Sequence, residues 1–408
     1  MTTSSPARRT ARAPTRPPRG PEKDRFDTFI GYYDQVHAHS YYPKYIIHNS
    51  KEMKLVDNKG GSKGKTYSHY VIVDEAMKFI RTNKDKPCFC YMPNTPPHGI
   101  FDIPDNDPAW QLYKDKPWPE QAKRFAAMVT MVDRQVGAVL DLLKKLNLEK
   151  NTLVFFCGDN GGNDYFRDKE HPRGFHGANV HPKTGVEFRG KKGNLYEGGL
   201  RIPMIARWPG QIKPGQVSDH LWYFPDVMPT VAEVTGAKTP KDSDGISIVP
   251  TLLSKGEQKQ HEYLYWELNG QIAVRHKDWK AIKPRKSGKW ELYDLSKDIS
   301  ESKSVADENP KIIARLKKFA EQAHTPAKEG VFFDRELHER DRRAKYGGAR
   351  PPRRNGKARS LPKKGLLSRA DWKILSVSSE SKGNSRLAKH ILDGDPLTHW
   401  HTSFGGAV

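Results

Sequence analysis

Three cysteines in 408 residues are too few for a disulfide framework, and none lies in a C-x-x-C pattern that would hold zinc or carry redox chemistry. Cys88 and Cys90 sit at i and i+2 in one apolar run and Cys157 ends another, positions that suit small buried residues. No apolar run approaches the roughly 18 residues needed to cross a bilayer. Residues 1 to 20 hold five arginines and no apolar stretch, so neither a membrane span nor a secretory signal is read there, and the sequence leaves localisation open. Aromatic residues are not scarce. Nine Trp, 16 Tyr and 16 Phe are far too many for a disordered polymer, and at this length they predict a globular chain of two or three structural units.

Acidic charge is the sign in short supply, with 48 Asp and Glu against 70 Lys and Arg, a net of +22. Its distribution matters more than its size. Residues 1–22 carry a net +4 and residues 331–366 a net +8, so these two stretches supply +12 of the excess. Both read as solvated segments, and the body between them is only moderately basic, which argues against a nucleic-acid partner.

Residues 6–21 are Pro and Arg punctuated by small residues, with no hydrophobic period, and predict a disordered leader over 1–22. From Phe26 onward, apolar runs alternate with amphipathic segments. Lys86–Pro93 (KPCFCYMP) and Thr152–Cys157 (TLVFFC) read as short buried strands, and Ile202–Trp208 as another. Between the first two, Ala122–Leu148 repeats Phe125, Val129, Val132, Val136, Val139 and Leu143 at helical spacing. Strand, helix, strand predicts an α/β layer fold over 23–255, a mostly parallel sheet sandwiched by helices. Over 256–330 the rhythm changes to four close-spaced strands, 263–268, 271–275, 279–283 and 290–295, then a helix near 310–323. These predict a smaller C-terminal antiparallel α+β subdomain. A basic linker follows over 331–366, and 367–408 begins a further segment.

Two strand ends carry candidate chemistry. Gly158-Asp159-Asn160-Gly161-Gly162 places an Asp and an Asn at a strand terminus where glycines let the backbone turn around a cation, although Asp-Asn-Gly is equally a plain turn signal. Asn94-Thr95-Pro96-Pro97-His98-Gly99 stiffens the approach to a histidine at the same predicted sheet edge. A third element, Arg189-Gly190-Lys191-Lys192-Gly193-Asn194-Leu195-Tyr196-Glu197-Gly198-Gly199, sets lysines between glycines, as an oxyanion site or an ordinary basic loop does. Between these elements His171, His176 and His181 recur five apart, but the intervening Pro and Gly deny them a common helical face. They read as a substrate-facing loop rather than a zinc site.

The combination of GDNGG after a strand with K-G-x-x-Y-E-G-G-x-R-x-P ahead of another resembles the sulfatases of the alkaline-phosphatase superfamily, from about Phe26 to Pro326. That resemblance implies an alkaline-phosphatase-like fold and a sulfuric ester hydrolase acting on an aryl sulfate or sulfated carbohydrate. It also implies one Ca²⁺ and a formylglycine nucleophile made from Cys or Ser. Carried over, Asp159 and Asn160 are two of the calcium ligands, Lys192 neutralises a sulfate oxygen, and His98 contacts the sulfate or assists the leaving oxygen. Asn160, where two-metal phosphatases of the superfamily place a His, argues for a single hard cation.

Parts of the pattern are missing. The paired Asp ligands and the C/S-x-P-x-R nucleophile motif have no credible counterpart. No cysteine is followed by Pro at +2 and Arg at +4, and Ser4-Ser5-Pro6-Ala7-Arg8 matches by letters without a preceding strand. The expectation is therefore a sulfatase domain lacking its N-terminal metal-ligand and formylglycine segment, impaired or inactive as this chain. The alternative is a non-catalytic remnant that keeps a sulfate- or glycan-binding pocket. Asp393–Thr402 (DGDPLTHWHT) resembles the opening of a discoidin-like (F5/8 type C) carbohydrate-binding domain, expected here as a truncated segment.

Overall fold

The computed structural model describes residues 21, 26–60, 63–175, 177–285 and 288–326. Ser4, His176, the basic linker and the discoidin-like segment lie outside the described residues, as does all of the leader except Pro21. The chain divides into two compact units, Met1–Lys345 and Tyr346–Val408, and every described residue belongs to the first.

The first elements are β1 (Ile30–Gly31), α1 (Gln35–Ala38), β2 (Tyr45–His48) and β3 (Lys51–Lys54), in which β1-β2-β3 form an antiparallel sheet. Three helices follow, α2 (Ser68–Thr82), α3 (Pro108–Tyr113) and α4 (Glu120–Lys145). Asp107 starts α3 by accepting the Ala109 N–H at 2.7 Å, with Pro108 in the first turn where its missing N–H costs nothing. The same carboxylate takes both Nη atoms of Arg134 from α4, at 3.0 and 2.7 Å, and so ties the two helices. Ala127, Met128, Met131 and Val132 of α4 are buried with Tyr41, Tyr67, Phe101, Ile103 and Trp110 in the main core. Val129, expected on that face, is exposed, because the buried stripe runs through 128 and 131 instead.

The expected parallel sheet is not found among the described residues, whose strands pair only antiparallel. Lys86–Pro93 forms no strand, and Phe89 and Tyr91 in it are 55% and 69% exposed. Cys88 is exposed as well, while Cys90 and Cys157 are half-buried, so the cysteines are not the buried set their spacing suggested. The strand β4 (Val154–Cys157) precedes the short helix α5 (Glu197–Leu200) and pairs with β5 (Met204–Arg207) in the register Cys157↔Met204. The chain leaves β4 and re-enters β5 at the same end, closed by Gly158 N–H on Pro203 O at 3.3 Å, so the connection is an excursion between antiparallel strands and not a crossover. An apolar run carries no information on the direction of its partner, which is why the sequence pattern misled.

After α6 (Val227–Thr235) and α7 (Val249–Leu253) come β6 (Leu264–Leu268), β7 (Gln271–His276), β8 (Trp279–Lys283) and β9 (Glu291–Asp294), a four-stranded meander followed by α8 (Pro310–Ala323). These agree closely with the sequence expectation. Alternation along the strands gives the sheet two buried faces. Val274, Ala281 and Leu292 pack on Leu316 and Phe319 of α8, while Ala273, Ile282 and Tyr293 pack on Leu195, Tyr196 and Leu200. The second face thus meets the segment that contains Lys192. Among the described residues no helix is long and apolar enough to cross a membrane.

Burial pushes the imidazole of His69 in α2 down to about 4, against the pull of its 2.7 Å bond to Gln135. A buried neutral histidine binds fewer protons in the fold than in the unfolded chain, so stability rises with pH between about 4 and 6.5. The amplitude is on the order of 3 kcal/mol. Urea midpoints measured across that window should show the slope, and His69→Gln should flatten it.

Candidate active site

The site grows from two glycine-rich turns that share a backbone ladder. At the end of β4 the Gly161 N–H donates to Gly199 O at 3.0 Å, and the Lys192 N–H donates to Gly162 O at 2.8 Å. Asn179 adds a side-chain bond from Nδ2 to Gly198 O at 3.0 Å, and the Gly198 N–H reaches Arg189 O at 2.8 Å. Such close backbone approach requires glycine. A Cβ on Gly161 would overlap the carbonyl of Gly198, and one on Gly199 would overlap that of Asn194. The ladder brings the Asp159-Asn160 turn and the Lys192 turn side by side, as a shared site needs.

Within this pair of turns the two adjacent lysines differ. Lys191 is ion-paired with Asp164, whose carboxyl is held low, despite burial, by Lys191 and Arg167. Lys192 is half-buried, and its ammonium has no ion pair or hydrogen bond among the described residues. Of the two, Lys192 is the lysine that the resemblance singled out. Asp159 and Asn160 are both exposed.

His98 sits on another segment. Its Nδ1 lies 2.8 Å from Gly99 O, which places the proton on Nδ1 and leaves Nε2 as the basic nitrogen. Tyr41 donates its hydroxyl to His98 O at 2.8 Å, and the His39 ring stands 4.3 Å away. Three residues on, Phe101 packs against Tyr165 and Phe166, next to the Asp164 that holds Lys191. No direct contact joins His98 to Asp159, Asn160 or Lys192 among the described residues. His171 and His181 are bound within their own turns, to Asp168 and to Thr184.

Asp159 and Asn160 offer two oxygen-bearing side chains, whereas Ca²⁺ takes about six to eight oxygens. Among the described residues no group of three or more His, Cys, Asp or Glu is placed to hold a metal ion. The donor set present does not fit a calcium ion.

Sequence reading missed three participants: Asp164, Asn179 and Glu197. Glu197, in the Tyr-Glu-Gly-Gly run, is buried and bonded to Lys280 of β8 at 2.7 Å and to Arg201 at 2.5 Å. Burial alone would raise its pKa, but Lys280, Arg201 and Arg275 outweigh that effect and set it at about 2. A glutamate inside an otherwise small and apolar motif was the available signal.

A family model described as "Sulfatase" matches residues 7–237, and one described as "N-sulphoglucosamine sulphohydrolase, C-terminal" matches residues 189–325. The first covers more than half of the sequence, and the chain belongs to the sulfatase family. Among curated proteins it is similar to an N-acetylgalactosamine-6-O-sulfatase of Bacteroides thetaiotaomicron, 28% identical over 62% of this chain and 50% of the relative. A steryl-sulfatase of Mus musculus is 32% identical over 52% of this chain and 32% of the relative. The chain thus spans half or less of the length of these relatives. Of solved structures, Ps i-CgsB matches with a TM-score of 0.55 at 28% identity, over 68% of this chain and 57% of that one. Its complex with k-i-k-neocarrahexaose matches at 0.56 and 26%, over 74% and 64%.

The close contact of the two turns makes a sharp test. Gly161→Ala should destabilise the protein by on the order of 2 kcal/mol, because the clash is with backbone that cannot swing aside. Gly137→Ala, in open space on α4, should stabilise it by about 0.5–1 kcal/mol. Thermal denaturation of both variants checks the pair of signs.

Proposed function

We propose that the chain binds sulfate esters through the Lys192 turn and serves in the hydrolysis of a sulfated carbohydrate. One observation carries this reading: the ammonium of Lys192 has no ion pair or hydrogen bond among the described residues and lies in a turn laced by hydrogen bonds to the Asp159-Asn160 turn, while its neighbour Lys191 is paired with Asp164. A fixed cation there offsets charge on a sulfuryl oxygen and favours the transition state as charge builds on the leaving oxygen. His98 Nε2, with Nδ1 committed to Gly99 O, is the nitrogen able to pass a proton to that oxygen. The carbohydrate class is supported by the relative named N-acetylgalactosamine-6-O-sulfatase and by the oligosaccharide complex of Ps i-CgsB.

A second reading, binding without turnover, is favoured by the donor set: Asp159 and Asn160 are two oxygen-bearing side chains, and among the described residues no group of three or more His, Cys, Asp or Glu joins them. Calorimetric titration with a sulfated galactosamine, beside a chromogenic aryl sulfate assay, separates the two. Lys192→Ala should weaken binding roughly tenfold or more, since a hydrogen bond to a charged group is worth about 1.5–3 kcal/mol. Wild-type turnover supports hydrolysis, and binding without turnover supports the second reading. Equal affinity of wild type and Lys192→Ala would remove the basis of both.

A further inference from the structure

The four-stranded meander β6–β9 presents one row of polar side chains to the Lys192 segment. In the sheet register Arg275 faces Lys280, and Lys280 faces Tyr293, while the neighbouring row on the same face ends at Glu291. Every one of these side chains engages the loop. Tyr293 OH accepts from Arg189 Nη1 at 2.7 Å, and Glu291 accepts the Tyr196 hydroxyl at 2.8 Å. Arg275 lies 3.7 Å from Glu197. Gln271, at the start of β7, donates from Nε2 to Gly193 O at 2.9 Å, one residue beyond Lys192.

The centre of this grip is fully buried. Lys280 Nζ stands between Glu197 Oε1 at 2.7 Å and Glu301 Oε1 at 2.8 Å, and both Lys280 and Glu301 are 0% exposed. The other oxygen of Glu301 accepts the backbone N–H of Glu197 at 2.6 Å, and its own carbonyl accepts from Arg189 Nη1 at 2.9 Å. The segment 189–201 is thereby held on both sides of Lys192. Buried ion pairs carry a desolvation cost that apolar packing avoids, so such a pair is poor evidence for stability and better evidence for a fixed arrangement.

We infer that Lys280 is a positioning residue: paired with Glu197 and Glu301, it locks the Lys192 turn against the C-terminal sheet and sets where that cation stands. The inference rests on the reading of Lys192 as the sulfate ligand, but its structural half can be tested separately. The experiment compares the full chain with Lys280→Met, Lys280→Arg and Gln271→Ala by amide hydrogen exchange and by titration with a chromogenic aryl sulfate. In Lys280→Met, exchange at Lys192, Gly198 and Gly199 should rise at least tenfold while Met128–Val132 of α4 stays protected. Affinity for the aryl sulfate should fall about tenfold, and Lys280→Arg should restore most of both. Gln271→Ala, whose side chain is on the surface, should loosen the same amides to a smaller degree, and it carries the test if Lys280→Met fails to fold. Unchanged exchange of the turn in Gln271→Ala and in any folded Lys280→Met protein would overturn the inference, as would loss of protection spread equally to α4. Absence of aryl sulfate binding in the wild type would instead overturn the role of Lys192, leaving the exchange result to decide the role of Lys280.

Discussion

Lys280 is fully buried, and the two carboxylates that pair with it lie 104 residues apart: Glu197 follows the glycine-rich lysine turn, and Glu301 follows the last strand of the meander. Charges taken out of water hold their partners to narrow geometry, because a misplaced buried ion costs several kcal/mol. On the inference drawn above, the placement of the Lys192 turn depends on this constraint. Apolar packing of Leu195 and Tyr196 against the sheet supplies non-directional adhesion, to which the ion pairs add directional contacts. The ladder from Gly161 and Gly162 to Gly199 and Lys192 then hands the same constraint to the end of β4.

The two family models overlap over 189–237, which contains the glycine-rich lysine turn and α5. This segment is where the body and the meander are joined, with one side laced to the GDNGG turn and the other pressed on the β-sheet. A region shared by two halves of a fold is where a binding turn gains rigidity from both.

What could be read from sequence divides along the range of the interactions. The meander and α4 were legible because alternation and helical spacing are local, and each strand of 264–294 pairs with the next one in sequence. The direction of the β4–β5 pair was not, since it depends on where a 46-residue excursion returns. Lys192, Asp159 and Asn160 were marked by glycines that demand special backbone, and the ladder brings them to one place. His98 was marked too, yet among the described residues no contact joins it to them. Glu197 and its partners are 83 and 104 residues apart in sequence, and no periodicity links positions so distant. A motif shows what a turn holds out, not what holds the turn.

Asp164 gives the lysine pair a further meaning. By pairing with Lys191, as it also pairs with Arg167, it leaves Lys192 as the lysine of the turn without an ion pair among the described residues. If Lys192 meets the ester as proposed, that single charge balances the single negative charge of a sulfate monoester. A phosphate monoester, carrying about −1.5 to −2 near neutral pH, would stay partly uncompensated. Discrimination between two tetrahedral oxyanions of nearly equal size would then rest on charge rather than on shape.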